Sequence, residues 1–272
     1  MTLPDEALTL TGGCSCGVIR YRVDIPAAAT RPLSPFVPES VGTKMPYALT
    51  CHCNDCRMAS GTLLPATLMQ IPETMIRVSV LPRTGSEKSN IITGRFLDCT
   101  KDDFDADAAD AGRPPYLPAG DVLRATQPQD SEKTWLRFFH SLDCGRSFSR
   151  SFCGRCGTEV CFHYALAAEW CHEGKLPDGW SDVFDITTGS LDRSFVGVDW
   201  LAPDAETNFK HGSAFGKSVS ATGKWLKDTV KMKALGPDEG FVDEEELAEL
   251  AKAKEGLSPE LLKLTADGNI TA

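Results

Sequence analysis

The 272-residue sequence predicts a mainly β domain carrying a short helical C-terminal extension. Three observations carry that expectation. Ile19, Tyr21 and Val23 alternate with Val18, Arg20 and Arg22, the two-residue period of a strand with one face buried. Short apolar runs of strand length recur along the chain, separated by glycine- and proline-bearing turns. A clear helical period appears only beyond Asp243.

The elements follow in order. Residues 1–11 read as a polar lead-in, and Thr11-Gly12-Gly13 opens a tight turn before the strand at Val18–Val23. Five prolines lie between Pro26 and Pro46, which predicts a loop able to act as a lid and to deliver the chain to Tyr47-Ala48-Leu49-Thr50. Arg57 to Gly61 reads as a turn or short helical step. Strands are expected at Leu63–Ile71, Met75–Leu81 and Asn90–Leu97. Residues 98–131 hold five aspartates between Asp102 and Asp110 and then Arg113-Pro114-Pro115, so an exposed acidic insertion is expected. Trp135 to His140 and Ser147 to Arg150 form a hairpin about Asp143-Cys144-Gly145, and Thr158–Tyr164 continues as a strand. Val183–Thr188 is a strand ending at Gly189-Ser190-Leu191-Asp192, and Val196–Leu201 is one more. Asp243 caps a helix containing Leu247, Leu250 and Ala251, and Ser258-Pro259-Glu260 opens a second.

A chain of this length holds one large domain or two small ones and buries a sizeable core. Its formal charge is −10, and about −13 if seven cysteine thiolates surround two zinc ions. That balance excludes nucleic acid as the expected partner. No apolar run is long enough to span a bilayer and no secretory pattern opens the chain, so no membrane partner is expected. The location expected is cytosolic or nuclear, with the cytoplasm preferred. Eleven cysteines in such a chain point to metal before disulfides.

Cys51-His52-Cys53-Asn54-Asp55-Cys56 places three thiols within six residues, too close for ordinary disulfide pairing and well placed to share one ion. The pairs Cys14-Ser15-Cys16 and Cys153-Gly154-Arg155-Cys156 frame it. Seven thiols so arranged sort into a set of four and a set of three. Four protein ligands close a structural zinc tetrahedron, whereas three leave a position open for chemistry.

These motifs carry a resemblance. Gly13-Cys14-Ser15-Cys16-Gly17 with Ile19-Arg20-Tyr21, the Cys51–Arg57 run with Ser60-Gly61, Phe152-Cys153-Gly154-Arg155-Cys156-Gly157-Thr158 and Gly189-Ser190-Leu191-Asp192 are similar in type and order to the glutathione-dependent formaldehyde-activating enzyme family, also called GFA or CENP-V. The likeness covers roughly residues 10 to 200. It implies stacked antiparallel sheets holding two zinc ions, in a domain spanning residues 1–235 with a helical extension at 236–272. By the same resemblance Cys14, Cys16, Cys153 and Cys156 bind a structural zinc, and Cys51, Cys53 and Cys56 hold a second in an open site. The activity it implies joins glutathione and formaldehyde into S-hydroxymethylglutathione, with glutathione as co-substrate.

Read from the residues alone, a zinc ion on three thiolates is a weaker Lewis acid than one on three histidines, and suits a thiol ligand or a transiently bound carbonyl. A substrate thiol bound there would attack an aldehyde held alongside, and the reverse reaction is carbon–sulfur lysis. His52 and Asp55 are the candidate acid–base groups and Arg57 the candidate carboxylate binder. Two other readings stand beside this one: a glutathione-independent carbon–sulfur, carbon–oxygen or carbon–carbon lyase or dehydratase on a carbonyl metabolite, and a zinc-stabilised binding module without catalysis. A fourth ligand would favour the last, and Cys99, Cys144, Cys161, Cys171, His140, His163, His172 and His211 are its candidates. Cys161 and His163 share one strand face. Trp135, Phe138 and Phe139 are expected in the core or as an aromatic wall beside the site.

Overall fold

The computed structural model describes residues 3–37, 39–83, 110–125, 132–140, 148–176, 178, 180, 182–223, 226, 229–231, 242 and 245. The expected strand at Asn90–Leu97, the turn at Asp143–Gly145 and the two C-terminal helices lie outside the described residues, apart from Glu245.

Among the described residues, twelve strands form two sheets. The smaller sheet joins β1 (Leu8–Gly13), β2 (Ile19–Ile25), β5 (Ile76–Val80) and β6 (Leu117–Pro118) in the order β1-β2-β5-β6. The larger contains β3 (Tyr47–Cys51), β4 (Ala66–Pro72), β7 (Leu136–Phe139), β8 (Phe148–Cys153), β9 (Glu159–Ala165), β10 (Asp182–Thr187), β11 (Ala205–Thr207) and β12 (Val230–Lys231). Its order is β12-β11-β3-β4-β10-β9-β8-β7. The mainly β expectation therefore holds. Pairing is antiparallel except at β11, which runs parallel to both β3 and β12. No helix among the described residues is long and apolar enough to cross a membrane.

One core lies between the sheets. Leu10, Ile19, Tyr21, Val23, Ile76 and Val78 of the smaller sheet cluster with Met69, Ile71, Val160, Cys161, Phe184 and Ile186 of the larger. Strand parity decides what faces this core and what faces away. On β10, Phe184 and Ile186 enter it, so Asp185 between them points to the opposite face. The same rule turns Gln70 of β4 and Phe162 of β9 outward, and the register pairs both of them with Asp185.

Four expectations are corrected. Residues 8–11 are not lead-in: Leu8–Gly13 alternates apolar and threonine positions and pairs with β2 over its whole length. Within the acidic insertion, residues 110–125 belong to the fold. Ala119, Gly120 and Leu123 are buried, and the Arg113 guanidinium donates to the carbonyls of Gly17, Val18 and Ser79. Val196–Leu201 is not a strand but lies between and within the short 3-10 turns Arg193–Phe195 and Asp199–Leu201. Pairing in the larger sheet is not wholly antiparallel. The 26–46 stretch is a loop, tied down by Arg31, which donates to the carbonyls of Pro26, Pro4 and Glu6.

Two polar motifs, one on β2 and one just after β10, join each other. Arg20 makes a bidentate pair with Asp192 at 2.6 Å through both terminal nitrogens, and Tyr21 Oη sits 2.8 Å from Ser190 Oγ. Gly12 is needed for this approach, because a Cβ there would lie 2.3 Å from Tyr21 Oη. Ile19-Arg20-Tyr21 and Ser190-Leu191-Asp192 are thus a staple between the chain's first hairpin and the end of β10.

Candidate metal centres

The seven motif cysteines gather into two clusters. Cys14, Cys16, Cys153 and Cys156 bring their sulfurs within 4.8 Å of one another, and so do Cys51, Cys53 and Cys56. Both can hold a metal ion.

The first cluster joins the turn after β1 to the turn between β8 and β9. Cys14 and Cys16 Sγ are 3.5 Å apart and Cys16 and Cys153 Sγ 3.7 Å apart. Four sulfurs at about 2.3 Å from one ion would stand about 3.8 Å from each other, so the thiols already have tetrahedral spacing. Backbone and hydroxyl groups support them: the Ile19 N–H donates to Cys14 Sγ at 3.2 Å, and Cys156 Sγ lies 3.3 Å from Thr158 Oγ1. With four protein ligands, no position is left over.

The second cluster sits where β3 ends. Cys51 is its last residue, Cys53 caps the helix Asn54–Ser60, and Cys56 falls in that helix's first turn. Cys53 Sγ accepts the Cys56 N–H at 3.3 Å, as a capping oxygen would. The helix stops at Gly61, in the left-handed region at φ 65°. Two side chains turn N–H groups onto the sulfurs: Arg150 Nη2 lies 3.4 Å from Cys56 Sγ and Asn208 Nδ2 3.6 Å from Cys51 Sγ. Such donors favour thiolates, the form that binds metal.

Three thiols this close resist ionising together. Hydrogen bonds from Cys51 and Cys56, with the Arg150 charge, hold Cys53 down to about 2 against the effect of burial. Hydrogen bonding to Cys53 and Cys56 pushes Cys51 well above the usual thiol range. Cys56 is pushed up to about 12, the pull of its Cys51 hydrogen bond being outweighed by Cys53 and burial. A metal ion bound to the three sulfurs would displace any protons they hold.

All three cysteines line one cavity of about 360 Å³ on the outer face of the larger sheet. Leu49, Leu68, Phe148, Phe162 and Tyr164 supply its apolar wall, and Arg150, Gln70 and Asp185 its buried polar groups. Arg150 is also 2.7 Å from Glu159 Oε1 and lies over the Phe162 ring at 4.6 Å. Gln70 Nε2 donates to Tyr164 Oη at 2.8 Å, leaving Gln70 Oε1 and Asp185 Oδ1 buried and unpartnered among the described residues. Burial pushes the Asp185 carboxyl well above the usual carboxylate range, against the pull of Gln70 and Arg150, and so favours its protonated form.

Of the sequence candidates, Asp55 is exposed and lines the cavity, while Arg57 is half-buried and does not. His52 is buried on another side: its Nε2 is 2.7 Å from Glu206 Oε2, and its ring packs edge-on to Phe209. Gly212 leaves room for that ring, since a Cβ would come within 2.6 Å of His52 Nδ1. His52 does not line the cavity.

Among the described residues no fourth ligand joins the triad. Cys161 and His163 face the inter-sheet side, where Cys161 enters the core and His163 packs on Phe184. His140 Nδ1 bonds the Phe148 carbonyl, and Cys171 packs with Tyr164, Leu166 and Val183. His172 lies in a separate hollow with Pro35 and Trp180, and His211 lines the triad's cavity without joining the cluster. Cys99 and Cys144 lie outside the described residues. Trp135 and Phe138 belong to the core, Phe139 is exposed, and the aromatic wall is instead Phe148, Phe162 and Tyr164.

Sequence reasoning missed Arg150, Gln70, Asp185, Asn208 and Glu206. Asp185 and Gln70 carried a signal, each being the polar residue inside an apolar strand. Glu206 and Asn208 carried none. No protein-family model matches the chain, and no curated protein does.

Proposed function

We propose that the chain is a zinc-dependent lyase or synthase acting on a thiol–aldehyde adduct, of the glutathione-dependent formaldehyde-activating type. The observation that carries this reading is the three-cysteine cluster, without a fourth described ligand, opening on a cavity lined by the buried Asp185 carboxyl. Zinc is the ion that suits both donor sets, because thiolate ligands at tetrahedral spacing select it over harder cations. Bound to Cys51, Cys53 and Cys56, zinc would hold a substrate thiol as its thiolate.

The chain's own residues then divide the work. Arg150 and Asn208 offset the negative charge of the cysteine sulfurs by donating to Cys56 and Cys51. Phe148, Phe162 and Tyr164 give the cavity an apolar face that disfavours water. Asp185 holds a proton beside that face and delivers it to the aldehyde oxygen as the carbon–sulfur bond forms and the carbonyl π pair moves to oxygen. In the reverse direction it takes the hydroxyl proton back while the carbon–sulfur pair returns to sulfur. The same acid would serve the glutathione-independent lyase or dehydratase reading.

The test is NMR measurement of adduct formation between formaldehyde and glutathione, or a small neutral thiol, with zinc-loaded protein. Acceleration is expected with at least one thiol, and Cys53→Ser should reduce it by about 100-fold or more, the scale of removing a catalytic group. No acceleration with any thiol, or full activity in Cys53→Ser, would remove this reading.

A further inference from the structure

The cavity's walls contain more information than the metal cluster does. Phe148 and Tyr164 are partners across the β8–β9 register, and Phe162 lies two positions along the same face. Their ring centroids are 6.1 Å apart for Phe148–Tyr164, 5.9 Å for Phe148–Phe162 and 5.8 Å for Phe162–Tyr164. Three rings in mutual contact make a continuous aromatic wall, with Leu49 and Leu68 also lining the cavity.

Charge recognition is poor by comparison. Arg150 is the single Arg or Lys among the described lining residues, and its charge is already shared between Glu159 and the Cys56 sulfur. Asp55 adds negative charge at the exposed side, next to sulfurs that are themselves negative as thiolates. A ligand bearing two carboxylates would meet that charge with one guanidinium, already paired to Glu159, and the His211 ring to receive them. A tripeptide thiol such as glutathione carries two carboxylates and one ammonium. Deep in the cavity, Gln70 Oε1 and Asp185 Oδ1 offer hydrogen-bonding atoms that no described residue uses. They match one uncharged hydroxyl or carbonyl group.

We infer that this cavity selects an uncharged thiol bearing an aromatic group, and the hydroxy-thioether it forms with an aldehyde, in preference to a charged peptide thiol. The ring stacks on Phe148 and Phe162, the sulfur reaches the Cys51–Cys53–Cys56 centre, and the adduct's hydroxyl meets Asp185 and Gln70. This rests on the open-site reading of the three-cysteine cluster and names the substrate class for it.

Cobalt(II) exchanged into the full-length protein gives a direct readout, because its visible d–d and sulfur-to-cobalt bands report a thiol closing an open position. Phenylmethanethiol and glutathione are the probes, each titrated at the same pH into wild type, Phe162→Leu and Phe148→Leu. Leucine keeps these positions apolar, and unchanged cobalt bands before thiol addition verify that the centre is intact. Phenylmethanethiol is expected to bind at least about tenfold tighter than glutathione, the worth of one or two aromatic contacts, with the margin shrinking in both variants. Equal or tighter binding of glutathione would overturn the selectivity while leaving the open site standing. So would a margin unchanged in both variants. Silence of the bands to every thiol would overturn the inference and the open-site reading together.

Discussion

At Asp185 one residue carries both a cost in stability and a chemical use. Burial favours the protonated carboxyl in the folded protein, whereas the unfolded chain releases that proton in the ordinary aspartate range. Above that range the unfolded state binds fewer protons than the native one, so this residue lowers stability progressively as pH rises. Asp185→Asn removes the titration while keeping the shape. Its melting temperature should exceed that of wild type at pH 8 by an amount corresponding to about 1 kcal/mol or more, and by less at pH 5. Adduct formation should fall at the same time, because an amide cannot deliver the proton. A variant destabilised equally at both pH values would show that Asp185 is ionised and paired. The residue was legible in the sequence as an acid inside Val183-Phe184-Asp185-Ile186, but its use was not: strand parity places it on the cysteine face only once Phe184 and Ile186 are known to face the core. His52 shows the opposite case. Its neighbours in sequence are ligands, while its partner in space, Glu206, lies far along the chain.

Among the elements, β11 holds the three-cysteine loop in place. It runs parallel to β3 with Thr207 beside Cys51, and the His52 N–H donates to the Thr207 carbonyl at 3.0 Å. Glu206 is fully buried between them and gathers His52, Ser220, Thr229 and Lys231 onto its two oxygens. Burial alone would raise its pKa, but hydrogen bonds from His52, Ser220 and Thr229 and the Lys231 charge hold it at about 2. A carboxyl lowered from 4.5 in this way contributes stability above pH 4.5 and loses it as pH falls towards 2. Relative to wild type, Glu206→Gln should therefore lose up to roughly 3 kcal/mol at neutral pH, with the difference closing across that acid window in denaturant titrations. It should also release metal from the Cys51 cluster faster than from the Cys14 cluster when challenged with chelator. Equal release rates would mean that β11 does not support the loop. This clamp was not legible beforehand, because Ala205–Thr207 is three residues long and pairs in parallel with a strand about 150 residues earlier. The longer strands were legible, since period-two alternation marks β2 and β5, and short apolar runs between turns mark β4 and β9.

Over the whole molecule, two cysteine clusters occupy two kinds of place. The four-sulfur cluster pins the first hairpin of the smaller sheet to the β8–β9 turn of the larger, so it ties the two layers together. The three-sulfur cluster stands at the end of β3 beside a cavity and joins no strand of the smaller sheet. This division was readable from spacing, because short cysteine intervals leave few alternatives to a shared ion. The cavity's chemistry was not, since it is assembled from β4, β8, β9 and β10 by sheet order. The measurement that tests the account most directly is metal content per folded chain in wild type, Cys53→Ser and Cys14→Ser, with circular dichroism on the same samples. An ion for each cluster is expected in wild type, loss of one with an unchanged fold in Cys53→Ser, and loss of the fold in Cys14→Ser. A wild type holding a single ion, or a Cys53→Ser protein that keeps both or unfolds as Cys14→Ser does, would contradict it.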